Sequence, residues 1–65
     1  MNLELMESKR REKRISVTEF CEEIGVDKST YFRWKANPDS MKLATANRIA
    51  DVLKMNQKER LKFLM

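Results

Sequence analysis

Residues 16–35 read Ser-Val-Thr-Glu-Phe-Cys-Glu-Glu-Ile-Gly-Val-Asp-Lys-Ser-Thr-Tyr-Phe-Arg-Trp-Lys. Glu19 follows Ser16 at the spacing of a capping box, in which the serine oxygen accepts one backbone N–H and the glutamate accepts another. Gly25 is the only glycine in the chain, and it predicts the end of this helix because glycine adopts the left-handed cap conformation at little cost. The stretch therefore opens with a short helix that begins at Ser16 and ends at Gly25.

The connection to the next helix is very short. Only Val26 separates Gly25 from Asp27, and aspartate is a preferred N-cap residue, so the next helix is predicted from Lys28 to about Ala36. Two helices joined this tightly are expected to cross steeply, as in a helix-turn-helix. The positions predicted to face a common core are Phe20, Cys21, Ile24, Val26, Tyr31 and Trp34. The positions predicted to point outward are Lys28, Ser29, Phe32, Arg33 and Ala36.

Three further helices are predicted around this pair. The first is expected over about residues 3–14. The fourth follows the turn after the third helix, with Ser40 as its best chemical cap and a start two residues later as the alternative. Asn56 and Glu59 form a second capping box and predict the last helix, which continues to the C-terminus. Apolar residues at helical spacing in the last two helices are Leu43, Ala46, Ile49, Ala50, Leu53, Leu61, Leu64 and Met65.

Composition limits the class of protein. The 65 residues contain 14 Lys and Arg against 10 Asp and Glu, for a net charge of +4, and they suffice for a single domain over residues 1–65. Histidine is absent and the single cysteine permits neither an internal disulfide nor a metal cluster, so no metal or cofactor is expected. No apolar run approaches the roughly 20 residues of a membrane span, and no signal peptide is recognisable. A small basic cytoplasmic domain with an acidic partner is the remaining expectation.

The stretch quoted above resembles the helix-turn-helix of the lambdoid phage repressor and Cro family, which includes the xenobiotic-response-element-type regulators of bacteria. Ser16 corresponds to the small polar residue that opens the family's second helix, Cys21 to its usual alanine, and Gly25 to its turn glycine. Trp34 falls on the last buried position of the recognition helix, and Arg48-Ile-Ala-Asp-Val-Leu-Lys is similar to the fourth helix. The resemblance implies an all-α, five-helix, lambda-repressor-like DNA-binding domain in which helices 2 and 3 form the helix-turn-helix.

Three features depart from the family pattern. The family often has glycine where this chain has Arg14, and a positive φ costs an arginine on the order of 1 kcal/mol, so the first helix is expected to end differently. Lys35 replaces an acidic residue that often pairs with an arginine of the first helix, and this is expected to leave Arg10 free to contact phosphate. The loop from Asn37 to Lys42 is slightly longer than the commonest version.

The resemblance implies that the third helix enters the major groove of double-stranded DNA, with its N-terminal residues at the base edges. Arg33 is the best candidate for paired hydrogen bonds to guanine, and Lys28 can bind the same base as a point charge. Ser29 can donate or accept a hydrogen bond, and Phe32 can contact a thymine methyl group. The residues expected to contact phosphate near the N-termini of the second and fourth helices are Ser16, Thr18, Lys35, Asn37 and Lys42, with Arg10 in addition. The acidic residues expected to face away from the duplex are Glu19, Glu22 and Glu23.

These features also have ordinary structural interpretations. Trp34 and Tyr31 are expected in the core, Cys21 is expected to be a small packing residue, and the basic run over residues 9–14 is typical of a solvated helix face. Phe32 could contact a partner protein as readily as DNA, so a helix-turn-helix module for protein–protein interaction is the alternative function. RNA binding lacks an aromatic pair on a sheet, and an enzyme lacks both a paired nucleophile and base and an enclosed pocket.

The last helix raises the question of oligomeric state. A single recognition helix covers few base pairs, so a homodimer on a two-fold symmetric operator is expected. Leu61 and Leu64 are predicted to close the core, which leaves Phe63, with Met65, for a dimer contact. Without a recognisable sensing domain, no small-molecule ligand is expected. The predicted function is a Cro-like transcriptional repressor of a phage or mobile element, acting in the bacterial cytoplasm at the nucleoid.

Overall fold

The computed structural model describes all 65 residues. Its five α-helices are α1 (Leu3–Glu12), α2 (Val17–Ile24), α3 (Lys28–Ala36), α4 (Leu43–Val52) and α5 (Gln57–Leu64), and a 3₁₀ turn at Pro38–Ser40 joins α3 to α4. The chain contains no strand, so the all-α, five-helix prediction is confirmed. No helix combines the length and the apolar composition that crossing a lipid bilayer requires.

Side-chain caps fix the start of α2 and α5 as the sequence predicts. Ser16 Oγ accepts the backbone N–H of Glu19 at 3.1 Å, and the Glu19 carboxylate accepts the N–H of Ser16 at 3.4 Å. Asn56 and Glu59 make the same reciprocal pair at 2.8 and 3.0 Å. Gly25 ends α2 in the left-handed conformation, with φ of 82°. Both predicted capping boxes and the predicted turn glycine are therefore confirmed.

The start of α4 differs from the preferred prediction. Ser40 does not cap the helix, because it belongs to the 3₁₀ turn, where its hydroxyl donates to the backbone carbonyl of Asn37 at 2.7 Å. The helix begins after Lys42, two residues later, and has no side-chain cap. The prediction of Ser40 as the cap is wrong, and the later start is correct. In the first turn of α4, three backbone N–H groups have no acceptor in the protein, those of Leu43, Ala44 and Thr45.

α1 and α4 both end at a left-handed residue that is not glycine. Arg14 has φ of 56° and Lys54 has φ of 53°. After α1, the backbone N–H of Ile15 donates to the carbonyl of Arg10 at 3.2 Å, which is the long hydrogen bond of a Schellman motif. α1 therefore ends in the same left-handed conformation that a glycine at position 14 would adopt. The prediction that Arg14 changes the end of this helix is wrong. The hydrogen bonds of the motif hold the arginine in a conformation that it disfavours.

Buried apolar side chains from every helix form one core. They are Met6, Phe20, Cys21, Ile24, Tyr31, Trp34, Met41, Ala46, Ile49, Ala50, Leu53, Met55 and Phe63. The Tyr31 ring packs edge-on against Phe20, with centroids 6.2 Å apart, and lies 6.2 Å from the Trp34 ring. Burial raises the pKa of the Cys21 thiol, which keeps it protonated and unreactive. The core predictions for Tyr31, Trp34 and Cys21 are confirmed.

The apolar residues of α5 are distributed differently from the prediction. Phe63 is fully buried, whereas Leu61 is 59% exposed and Met65 is 89% exposed. Phe63 therefore belongs to the core of its own chain, and its assignment to a dimer contact is wrong, as is the burial of Leu61. α5 packs against α1 and α4, and the register that starts at the Asn56 cap places Phe63 on the buried face. Leu43, predicted inside α4's apolar stripe, is also exposed.

Candidate nucleic-acid interface

The outer face of α3 is polar and basic, and the rest of the helix is anchored in the core. All residues predicted to point outward are exposed, namely Lys28, Ser29, Phe32, Arg33 and Ala36, and Lys35 is exposed as well. The Phe32 side chain is 55% exposed, and its ring contacts the buried Tyr31 ring edge-to-face at 5.5 Å. Because Tyr31 and Trp34 fix the opposite face, α3 presents its outer side chains from a rigid support.

Asp27 organises the N-terminus of α3. Its Oδ1 accepts the Thr30 hydroxyl at 2.7 Å, the Thr30 backbone N–H at 2.9 Å and the Ser29 hydroxyl at 2.8 Å. These hydrogen bonds, with the Thr30 hydroxyl making the largest contribution, lower the pKa of Asp27 from 3.8 to about 2. The carboxylate therefore stays ionised at neutral pH, at the end of the helix that is predicted to lie closest to DNA bases.

A cleft of about 300 Å³ lies where α3 faces the start of α4. Its walls are Val26, Thr30, Arg33, Trp34, Ser40, Lys42 and Thr45. Two of these residues, Arg33 and Lys42, are cations, and the uncapped backbone N–H groups of α4 begin beside Lys42. Free N–H groups and the positive end of a helix dipole favour an anion, so the cleft has the chemistry of a phosphate site. Sequence reasoning missed Thr45 and Thr30 as lining residues, because only the fold brings α3 and the start of α4 to one cleft.

The N-terminus of α2 is a less favourable phosphate site than predicted. The backbone N–H of Ser16 donates to the Glu19 carboxylate, and the Ser16 hydroxyl oxygen accepts the Glu19 N–H, so only the hydroxyl proton is left for a phosphate. The Glu19 carboxylate lies at this helix end, although it was predicted to face away from the duplex. Thr18 is exposed and keeps its hydroxyl free for an external partner. A negative charge thus occupies one of the two helix ends at which phosphate is expected.

Arg10 is held inside a network of charges instead of being free. The Oε2 of Glu7, a residue only 9% exposed, lies 3.2 Å from Arg10, 3.6 Å from Arg11 and 3.9 Å from the Lys35 ammonium. Arg10 also donates to the Ile15 carbonyl at 2.6 Å. The prediction that the lysine at position 35 frees Arg10 for phosphate is therefore wrong. Glu7 supplies the missing acid from α1 itself, and its spacing of three from Arg10 was a visible signal.

Arg48 supports the turn of the helix-turn-helix, a role that the sequence did not reveal. Its guanidinium on α4 donates to the backbone carbonyl of Ile24, the last residue of α2, at 2.9 Å. A cation at the C-terminus of a helix satisfies a carbonyl that has no partner within the helix. The contact fixes the end of α2 next to Gly25, and thereby the start of α3.

The two helices joined at Gly25 and the exposed basic face of α3, with the cationic cleft beside it, are the features of a helix-turn-helix DNA-binding domain. The chain belongs to the Cro/C1-type HTH DNA-binding domain family, whose profile matches residues 6–63. No curated protein and no solved structure gives a significant match to the chain. The family assignment confirms the resemblance inferred from the sequence, and with it a DNA-binding rather than an enzymatic function.

Proposed function

We propose that the chain regulates transcription by inserting α3 into the major groove of double-stranded DNA at specific sequences. The supporting observation is the row of exposed side chains on α3, beside a cleft that suits a phosphate. Arg33 is assigned paired hydrogen bonds to guanine O6 and N7, and Lys28 a looser contact to the same kind of acceptor. Phe32, anchored by Tyr31, is assigned an apolar contact to a thymine methyl group.

Phosphate binding is assigned first to the start of α4. Lys42 is exposed there, and the adjacent N–H groups have no acceptor in the protein. Thr18, Lys35 and Asn37 are exposed and are assigned secondary phosphate contacts. Arg10 is withdrawn from this set because Glu7 and a carbonyl already hold it. Ser16 stays in the set with a single hydroxyl proton, because its oxygen and its backbone N–H complete a capping box.

The apolar end of α5 supports a proposed homodimer on a two-fold symmetric operator. Met65 and Leu61 are its exposed apolar side chains, and they replace Phe63 as candidate contacts. Changing both to serine is expected to leave each half-site contact intact while lowering the cooperativity of binding to a palindromic duplex. Gln57→Ser, which alters an exposed uncharged residue at the other end of α5, is the matched control. Equal cooperativity in both variants would exclude this end of α5 from the interface.

Selection of bound duplexes from a random pool tests the proposed function. The expected product is a motif with two inverted half-sites, separated by about 10–10.5 base pairs or a multiple of this spacing. The protein–protein interaction module would be favoured if no duplex is enriched and if the residual binding of the chain to DNA does not weaken as the salt concentration rises. We further propose a Cro-like repressor of a phage or mobile element, acting in the bacterial cytoplasm at the nucleoid. A promoter–reporter assay should then show lower expression when the chain is produced.

A further inference from the structure

We propose that Asp27 fixes Ser29 as a hydrogen-bond acceptor, so that Ser29 selects an amino group, the N6 amino of adenine or the N4 amino of cytosine. This inference rests on the proposed entry of α3 into the major groove. It adds the chemical group that one position on α3 recognises, where the sequence left Ser29 free to donate or to accept.

The hydrogen bonds at the start of α3 restrict the Ser29 hydroxyl. Its Oγ lies 2.8 Å from Oδ1 of Asp27, and the side chain is exposed in the first turn of the helix, the part that approaches base edges. Asp27 is itself fixed, because the same Oδ1 accepts both the N–H and the hydroxyl of Thr30. The acceptor for the Ser29 proton is therefore in place before DNA arrives.

The direction of this hydrogen bond follows from the charge state of Asp27. Its pKa of about 2 means that the carboxylate has no proton to donate at neutral pH, so the Ser29 hydroxyl must be the donor. A serine hydroxyl has one hydrogen and two lone pairs. With the hydrogen committed to Asp27, Ser29 offers only lone pairs to an external partner.

The major groove contains few partners for an acceptor. Adenine N6 and cytosine N4 are its amino donors, whereas guanine N7 and O6, adenine N7 and thymine O4 are acceptors. Ser29 is thus complementary to an amino group and repels the other polar edges. The negative charge of Asp27 strengthens this preference, since it polarises the hydroxyl oxygen toward a hydrogen-bond donor.

Base analogues can identify the contacted group, which base frequencies cannot do because each amino group faces a keto group within its pair. The position to alter is the base pair of a selected duplex at which Ser29→Ala relaxes the sequence preference. There, adenine is replaced by purine, or cytosine by 2-pyrimidinone, to delete the amino group. In a second duplex the purine of the same pair becomes its 7-deaza analogue, which lacks N7. Affinities are measured for the wild-type protein and for Ser29→Ala.

Deleting the amino group is expected to weaken wild-type binding by about threefold to tenfold, the range for one neutral hydrogen bond. Ser29→Ala controls for any effect of the analogue on the duplex itself. Its affinity should be the same for the duplexes with and without the amino group, apart from that effect. The 7-deaza analogue should leave both affinities unchanged. If the 7-deaza analogue weakens wild-type binding and loss of the amino group does not, Ser29 is a donor and the inference is wrong.

Asp27→Gly tests the role of the carboxylate, because glycine at an N-cap position costs a helix little stability. The freed hydroxyl can then donate as well as accept, and the carboxylate no longer polarises it, so the dependence on the amino group should fall below that of the wild type. Thr30→Val leaves the contact between Asp27 and Ser29 in place and should retain the wild-type dependence. Full dependence in Asp27→Gly would overturn the inference while leaving the proposed function intact. A pool that yields no enriched duplex would instead refute both.

Discussion

Replacing Phe63 by alanine tests how α5 packs on the rest of the domain. The Phe63 ring is fully buried, so its removal takes apolar surface from the core and leaves a cavity, at a cost of about 3–5 kcal/mol. A chain of 65 residues has a total free energy of unfolding of about 3–10 kcal/mol, at roughly 0.05–0.15 kcal/mol per residue. The substitution should therefore remove a third or more of the stability, and in the least stable case unfold the protein.

Thermal unfolding followed by circular dichroism measures this effect. Since 1 kcal/mol corresponds to about 4–8 °C in a domain of this size, Phe63→Ala should lower the melting temperature by at least about 12 °C. The matched control is Leu61→Ala on the same helix, where the exposed side chain should contribute within about 0.5 kcal/mol. Equal melting temperatures for the two variants would mean that the Phe63 ring lies outside the core, and the account of α5 would be wrong.

Three other changes have defined outcomes. Arg14→Gly relieves a positive φ and should raise the free energy of unfolding by about 1 kcal/mol, measured by urea denaturation; an unchanged or lower value would contradict the left-handed end of α1. Glu7→Gln leaves Arg10, whose side chain is 12% exposed, without its carboxylate, and should destabilise the protein by about 3 kcal/mol in the same assay. A variant as stable as the wild type would show that this ion network contributes nothing. The folded-state pKa of Asp27, about 2, lies below its ordinary value of 3.8, so its contribution to stability is complete above about pH 4 and is lost as the pH falls toward 2. Asp27→Asn should therefore lose less stability than the wild type over this range, and parallel acid-unfolding curves would refute that contribution.

The sequence predicted helix boundaries well wherever a side chain caps the helix. Ser16, Asp27 and Asn56 each act through a backbone group three residues away, so their effect is local and visible in the sequence. The start of α4 could not be predicted in this way. Ser40 has the chemistry of an N-cap, but it lies in the 3₁₀ turn, where its hydroxyl donates to the Asn37 carbonyl.

The candidate site was predictable to the extent that it depends on one helix face. The spacing of Tyr31 and Trp34 fixes which side of α3 is buried, and hence that Ser29 and Arg33 are exposed. Contacts between helices were harder to predict. In α5, helical spacing favoured Leu61 and Leu64 for the core, whereas packing of α5 against α1 and α4 buries Phe63 and leaves Leu61 exposed.

Charge partners were equally ambiguous in the sequence. Arg10 has both acidic and basic residues within one turn on α1. The lysine at position 35 suggested that Arg10 lacks an acidic partner on α3. The structure shows that Glu7 accepts Arg10 and approaches the Lys35 ammonium as well. The Glu7 carboxylate on α1 thus takes the place of the acidic residue that the family often has on α3. A pattern within α3 alone cannot reveal this replacement.

The salt dependence of binding to a selected duplex tests whether α3 and the start of α4 recognise DNA. Fluorescence anisotropy would compare the wild type with Lys42→Gln and Arg33→Ala. We expect the logarithm of the binding constant to fall linearly with the logarithm of salt concentration, at a slope of about −0.9 per phosphate contacted. Lys42→Gln should reduce that slope by about 1 without changing sequence preference, whereas Arg33→Ala should relax the preference at one base pair. A flat salt response, or two variants that bind every duplex as the wild type does, would contradict the account.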